Sequence, residues 1–157
     1  MKKIATVLVV VKDGKVLLGM KKRGFGEGRW NGFGGKPNAG ESVEEAAIRE
    51  TQEECGVEPK GILKNGIIDF EFAAKPEWNQ QVHFFSATGY EGEIIETEEM
   101  RPAWFEFGKI PYVKMWPDDI FWLPLMLEGK KFEGKFVFGE DGEILEHEIR
   151  ETDEVIS

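Results

Sequence analysis

Cysteine is nearly missing: Cys55 is the single one in 157 residues. No disulfide framework is possible, so a reducing cytosol is the default compartment. Nothing beside Cys55 resembles the base that a thiol nucleophile needs. Histidine is scarce too. His83 stands alone in a strand-like stretch and reads as structural, and His147 reads as surface. Long apolar runs are missing; none approaches the roughly 20 residues a membrane helix requires, so no membrane partner is expected. The opening MKKIATVLVVV looks like a short signal peptide. Its apolar stretch breaks at Lys12-Asp13-Gly14-Lys15 without a small-residue cleavage site, and it reads as a β-strand instead. There is no internal repeat, low-complexity tract or domain boundary, so residues 1–157 are expected to form one compact domain.

Basic charge is scarce outside the first quarter. Residues 1–36 hold nine Lys/Arg against Asp13 and Glu27, a local +7. The chain totals −10, so the remainder sums to −17. Such a body is poorly suited to polymeric nucleic acid. A smaller anion fits better, met by the basic segment and by metal ions.

Apolar and aromatic residues are plentiful: 41% of the chain is hydrophobic, with five Trp and twelve Phe. Some rings are available for a pocket as well as a core. Thr6–Val11 is a continuous aliphatic run, expected to be a strand buried on both faces. Asp13-Gly14 signals a hairpin, with Val16–Met20 returning. Arg23–Gly35 interleaves glycines with Phe25, Trp30 and Phe33 and reads as an ordered loop. Ser42 and Glu45 form a capping-box pattern for a helix that starts near Val43 and ends at Gly56. Strands are expected over Ile62–Phe72, Gln81–Ala87 and Ala103–Phe107. A second helix opens at Trp116-Pro117-Asp118-Asp119, with Pro124 expected to bend or split it. Lys131–Phe138 and Glu143–Ile149 suggest a last hairpin, with a frayed tail after Arg150. The fold class is α/β (α+β), built around a mixed sheet.

The most charged stretch is RETQEE, which puts Glu50, Glu53 and Glu54 within five residues. A helix turns about 100° per residue. With Val43 at zero, Ala47 falls near about +40°, Ala46 near −60° and Thr51 near +80°. Glu50 then lies near about −20°, Glu54 near +20° and Glu53 near −80°. Glu50 and Glu54 therefore sit within the apolar arc, whereas Glu45 and Gln52 face away. Carboxylates on a core-facing stripe repel each other and resist desolvation. Raised pKa values are one escape. A salt bridge to Arg49 is another, and its angle near about −120° best suits Glu53. Divalent cations are a third: hard oxygens at i, i+3 and i+4 suit Mg²⁺ or Mn²⁺.

Residues 35–57 resemble the Nudix signature. The matched positions are Gly35, Glu41, Arg49, Glu50, Thr51, Glu53, Glu54, Gly56 and Val57. Thr51 departs from the usual large aliphatic residue; its hydroxyl can bond back to the helix, at a small stability cost. The resemblance implies a Nudix fold, a mixed sheet sandwiched between helices. It implies Mg²⁺-dependent hydrolysis of a nucleoside diphosphate linked to another group. It places Mg²⁺ (or Mn²⁺) on Glu50, Glu53 and Glu54, with a backbone carbonyl of Gly34 or Gly35. Arg49 would orient a carboxylate, and Glu41 would brace the loop.

Within that family, LLGMKKRGFGEGRWNGFGGK, MRPAWF and MWPDD are similar to the animal oxidised purine nucleoside triphosphatases. That resemblance implies conversion of oxidised purine triphosphates of the 8-oxo-dGTP and 2-oxo-dATP type to monophosphate and pyrophosphate. Such a reaction clears the nucleotide pool of damage, in this case in a cytosolic monomer. Asn31, Asp118 and Asp119 would read the base. Thr6, Phe25, Phe70, Phe72, Trp116 and Trp122 would line its pocket, with Trp116 stacking on the purine. Lys21 would reach the phosphates, and Glu99 would support metal or water. Asn79-Gln80-Gln81 departs from the pattern, with polar residues where an apolar pocket residue is usual. Taken alone, Asp118 and Asp119 serve equally as helix N-terminal acids, Asn31 as a turn residue, Phe70 and Phe72 as core, and Trp116 as an edge seal. Two other readings are a Nudix hydrolase for a dinucleotide or nucleotide sugar and a catalytically silent binding module. The Asn31 and Trp116–Asp119 constellation argues against the first, and the retained carboxylates and Arg49 argue against the second.

Overall fold

The computed structural model describes residues 2–155. Among them are strands β1 (Lys3–Lys12), β2 (Lys15–Lys21), β3 (Trp30–Asn31), β4 (Glu58–Phe72), β5 (Gln80–Glu91), β6 (Met100–Glu106), β7 (Lys131–Phe138) and β8 (Ile144–Thr152). Two α-helices accompany them, α1 (Val43–Cys55) and α2 (Asp119–Leu127). The strands form one mixed sheet in the order β3-β2-β1-β5-β4-β7-β8, with β6 also pairing with β2. The β1–β5 and β4–β7 pairs are parallel and the rest antiparallel.

Strand alternation sends successive apolar residues to opposite faces. Leu8 and Val10 join Leu17, Phe33 and Phe85 in a cluster that includes Ala47 and Cys55 of α1. Val9 joins Phe84, Phe132 and Phe136 in another that includes Trp122, Leu123 and Met126 of α2. The sheet is thus sandwiched between the helices. Each large apolar side chain buried in these layers contributes about 1.5–3 kcal/mol.

The centre of the sheet forks. Asp13 and Gly14, both at positive φ (54° and 74°), turn β1 into β2. The two strands pair only from Val10↔Leu17 to Lys12↔Lys15. Beyond Val10, β1 and β2 part, and the chain after β3 fills the gap. Phe33 N–H donates to the Leu8 carbonyl (2.8 Å), and Thr6 N–H donates to the Gly35 carbonyl (2.9 Å). This stitching sets Gly34 and Gly35 against the middle of the sheet. The preceding loop is ordered as expected: Lys21 N–H reaches Arg29 O (3.0 Å), and Gly28 N–H reaches Lys21 O (2.8 Å).

Gly34 fits so closely that an added Cβ would land on the Thr6 carbonyl oxygen. Gly34→Ala is therefore expected to lower stability by about 2–4 kcal/mol, because backbone would have to move. Urea unfolding checks this; a loss below about 0.5 kcal/mol, the range of an ordinary surface change, would contradict it.

Several local expectations hold. Helix α1 covers the expected span, with both capping-box bonds present and Gly56 at φ 84° closing it. Thr51 is buried, and its hydroxyl donates to Ala47 O (2.7 Å). Others change. β4 and β5 extend beyond 62–72 and 81–87, because their polar ends pair with each other, as Glu58↔Glu91 shows. Pro124 does not split α2. The helix runs through it, anchored by Trp122, Leu123 and Met126, all buried on one side of the sheet. β8 continues past Arg150, pairing Thr152 with Lys131.

Candidate active site

Helix α1 presents its carboxylates as the angular reading anticipates. Glu54 is buried at 5% exposure. Glu50 keeps 19% of its side chain exposed and Glu53 keeps 56%. Arg49 meets Glu53 as expected, but its shorter bond is to Glu50. It donates to Glu50 at 2.7 Å and to both Glu53 oxygens at 3.2 Å. Its other nitrogens grip Glu41 (2.8 and 3.0 Å) and the Lys36 carbonyl (3.1 Å). A long guanidinium reaches partners that a Cα angle does not reveal. Hydrogen bonds from Arg49, helped by Asn38 N–H, hold Glu41 below the usual carboxylate range.

Burial pushes the Glu54 carboxyl up to about 8. The Gly34 N–H it accepts (3.0 Å) and Lys21 oppose that rise; the charges of Glu50 and Glu99 add to it. Gly35 allows the closest approach, since a Cβ there would sit 2.6 Å from the Glu50 carboxyl. Among the described residues, no three metal-capable side chains converge on one point, and Glu50 and Glu53 both meet Arg49. The donor chemistry nevertheless fits a hard divalent cation. A buried, under-compensated carboxylate beside others is relieved by positive charge. Of the two candidate carbonyls, that of Gly35 is taken by Thr6 N–H (2.9 Å) and the Thr6 hydroxyl (3.0 Å), which leaves Gly34 the freer.

Glu54, Gly34 and Gly35 form one side of a cavity of about 320 Å³. Its lining includes every residue singled out for the base pocket and phosphates: Thr6, Lys21, Phe25, Asn31, Phe70, Phe72, Trp116, Asp118, Asp119 and Trp122. Glu50, Glu53, Arg49 and Glu99 lie outside that lining.

Asp118 and Asp119 are 6% and 4% exposed, so they are not solvated helix caps. Asp118 makes no capping bond. Its Oδ2 accepts the Trp122 indole N–H at 2.7 Å. Burial raises both carboxyls. Asp119 rises well above the usual range because it also faces the charge of Asp118, to which it is hydrogen-bonded. Two buried carboxyls this close disfavour double ionisation, with Asp119 pushed up further than Asp118, whose charged form the indole N–H favours.

Trp116 is half-buried. Phe25, itself 67% exposed, stacks on it (centroids 5.1 Å, interplanar angle 28°). Asn31 donates one N–H to Arg29 O (3.0 Å). Of the polar run at 79–81, Gln80 alone lines the cavity. Asn79 accepts Phe72 N–H (2.7 Å), and Gln81 lies between Asp69 (3.3 Å) and His83 (2.9 Å). His83 is buried and lowered to about 4, chiefly by desolvation; its Nε2 meets Gln81, while its Nδ1 is buried without a partner among the described residues.

The NUDIX domain family model matches residues 2–126. The chain belongs to the Nudix family. It is 51% identical to the zebrafish (Danio rerio) oxidized purine nucleoside triphosphate hydrolase, covering 98% of this chain and 97% of that one. It is 49% identical to the mouse (Mus musculus) protein of the same name, covering 96% of each. Among solved structures, a Mutator MutT protein from Bacillus halodurans is similar at TM-score 0.84 and 28% identity, covering 94% of this chain and 97% of that one.

Two features of this Nudix site escape the sequence. Arg29 lies over Trp116 (4.0 Å from its ring centroid), and its charge opposes the rise of both aspartates. Nothing in a Gly-rich loop marks one arginine above another. Phe138 lines the cavity because the β4–β7 register sets it beside Phe72. Its alternation with Phe136 is visible in sequence, but the partner strand is not.

Proposed function

We propose that this chain hydrolyses oxidised purine nucleoside triphosphates to the monophosphate and pyrophosphate, and so clears damaged nucleotides. The observation that carries this reading is the joining, in one cavity, of the paired Asp118–Asp119 carboxyls with Glu54 and the Gly34-Gly35 turn. The names of the zebrafish and mouse relatives agree with it.

The purine enters between the Phe70–Phe72 wall and Trp116. Its edge meets Asp118 as acceptor and Asp119 as donor, with Asn31 offering either kind of partner. Oxidation at C8 turns N7 from an acceptor into an N–H donor, which an ionised carboxylate accepts. Lys21 faces the phosphates. Glu50, Glu53 and Glu54, with the Gly34 carbonyl and support from Glu99, would hold Mg²⁺ or Mn²⁺. When bound, the ion acidifies water and polarises a phosphoryl oxygen. Arg49 keeps Glu50 and Glu53 in place, and water is the nucleophile.

Competitive hydrolysis with Mg²⁺ tests this, using 8-oxo-dGTP, 2-oxo-dATP, O6-methyl-dGTP and dGTP. Preference for modified purines by at least about tenfold, with pyrophosphate released, is expected. Equal use of dGTP would remove the base-pocket assignment.

A further inference from the structure

Helix α1 ends with carbonyls that lack partners within the helix. The loop between β5 and β6 supplies them. Ile95 N–H donates to Cys55 O (2.9 Å), and the Thr97 hydroxyl donates to Glu54 O (2.9 Å). The same Thr97 oxygen accepts from Glu99 N–H (3.3 Å) and Met100 N–H (3.2 Å). A hydroxyl has one donor and two acceptor sites, so Thr97 uses all three. One oxygen atom thus ties the backbone of Glu54, 43 positions before Thr97, to the backbone of Glu99, two positions after it.

The loop is also held from its other side. Lys22 N–H donates to Glu99 O (2.8 Å), and the Lys22 ammonium reaches Thr97 O (2.9 Å) and Glu96 (2.6 Å). Gly56 lets the loop come close, since a Cβ there would lie 2.7 Å from Ile95 Cγ1 and 2.9 Å from Glu93 O. The Glu99 side chain itself is exposed. Its placement relative to Glu54 therefore depends on the backbone anchors.

We propose that Thr97 is a positioning residue that registers Glu99 against the carboxylate helix, and so sets the affinity of the site for a divalent cation. This rests on the metal reading of Glu54 and Glu99 above. A cation shared by two elements binds tightly only when both are held in register, and outer hydrogen bonds of this kind typically change metal affinity by about 10–100-fold. The residues assigned to the base (Asn31, Phe70, Phe72, Trp116, Asp118 and Asp119) make no bond to Thr97, although Glu54 and Met100 of the clasp also line the cavity.

The test is Mn²⁺ titration of the nucleotide-free protein, followed by electron paramagnetic resonance. Thr97→Val keeps the shape and removes all three bonds. It is expected to weaken Mn²⁺ binding about tenfold, while the 8-oxo-dGTP to dGTP preference is kept. Thr97→Ser is expected to restore wild-type binding. In a Glu99→Gln background, T97V is expected to add little, because the residue acts through Glu99. If T97V disrupts the fold, Thr97→Ala reads out the same loss. Wild-type Mn²⁺ affinity in T97V or T97A would overturn the proposal, as would an equal loss in the Glu99→Gln background. Failure of the wild-type protein to bind Mn²⁺ would instead overturn the metal reading beneath it.

Discussion

Glu54→Gln is expected to reduce kcat by about 10³-fold while stabilising the metal-free protein at alkaline pH. The amide oxygen can still accept the Gly34 N–H, so the fold is kept and only the charge is lost. The pH dependence has a definite sign. The folded-state value of Glu54 is about 8, against an ordinary 4.5. Between those values the folded protein holds a proton that the unfolded chain releases. Stability attributable to Glu54 therefore falls as pH rises across this window, by up to about 4 kcal/mol. Asp118 and Asp119 slope the same way, so the comparison that isolates Glu54 is wild type against E54Q. Melting of the two metal-free proteins from pH 5 to 8 is expected to show a steeper decline for wild type. Added Mg²⁺ is expected to recover much of the wild-type loss and little for E54Q. Turnover within tenfold of wild type in E54Q would sink the metal assignment.

The second large effect is expected at the aspartate pair. Asp118→Asn keeps one oxygen for the Trp122 indole N–H but removes the charge and, by the proposed reading, puts an NH2 donor against the oxidised edge of the purine. Loss of a charged, buried hydrogen-bond partner is worth about 1.5–3 kcal/mol. The expected result is a fall in kcat/KM for 8-oxo-dGTP of roughly 10–100-fold, mostly in KM. Asp119→Asn should be milder, since Asn keeps a donor where the proposed reading places the shared proton. It should also remove pH sensitivity. In wild type, rising pH strips the shared proton and changes the pair from donor plus acceptor to two acceptors. The ratio of activity toward 8-oxo-dGTP and 2-oxo-dATP should therefore shift with pH. In D119N it should stay flat. A flat ratio in wild type would reject proton sharing as the basis of recognition.

The contrast between α1 and α2 shows what a sequence can reveal. Along α1, the cap, the αL glycine and the burial ranking of Glu54 over Glu53 all follow from intervals of four residues or fewer. Local chain geometry determines them, so spacing was enough. Arg49 marks the limit of that reasoning, because its partners include Glu41 and Lys36, brought near by the loop before the helix. At α2, spacing left Asp118 and Asp119 open between solvated caps and pocket acids. Burial resolved it, and burial depends on a cavity whose walls include Phe84 and Phe138 from distant strands. Pro124 leaves the helix unsplit for the same reason: packing on the sheet outweighed one missing backbone bond.

By itself, then, the sequence determined the family, the carboxylate helix and the aromatic supply, because each is encoded by residues near one another in the chain. The tertiary structure decided the fork between β1 and β2, which side chains share the cavity, and which carboxyls burial pushes up. Those depend on desolvation and on contacts between distant segments, and no local spacing specifies either.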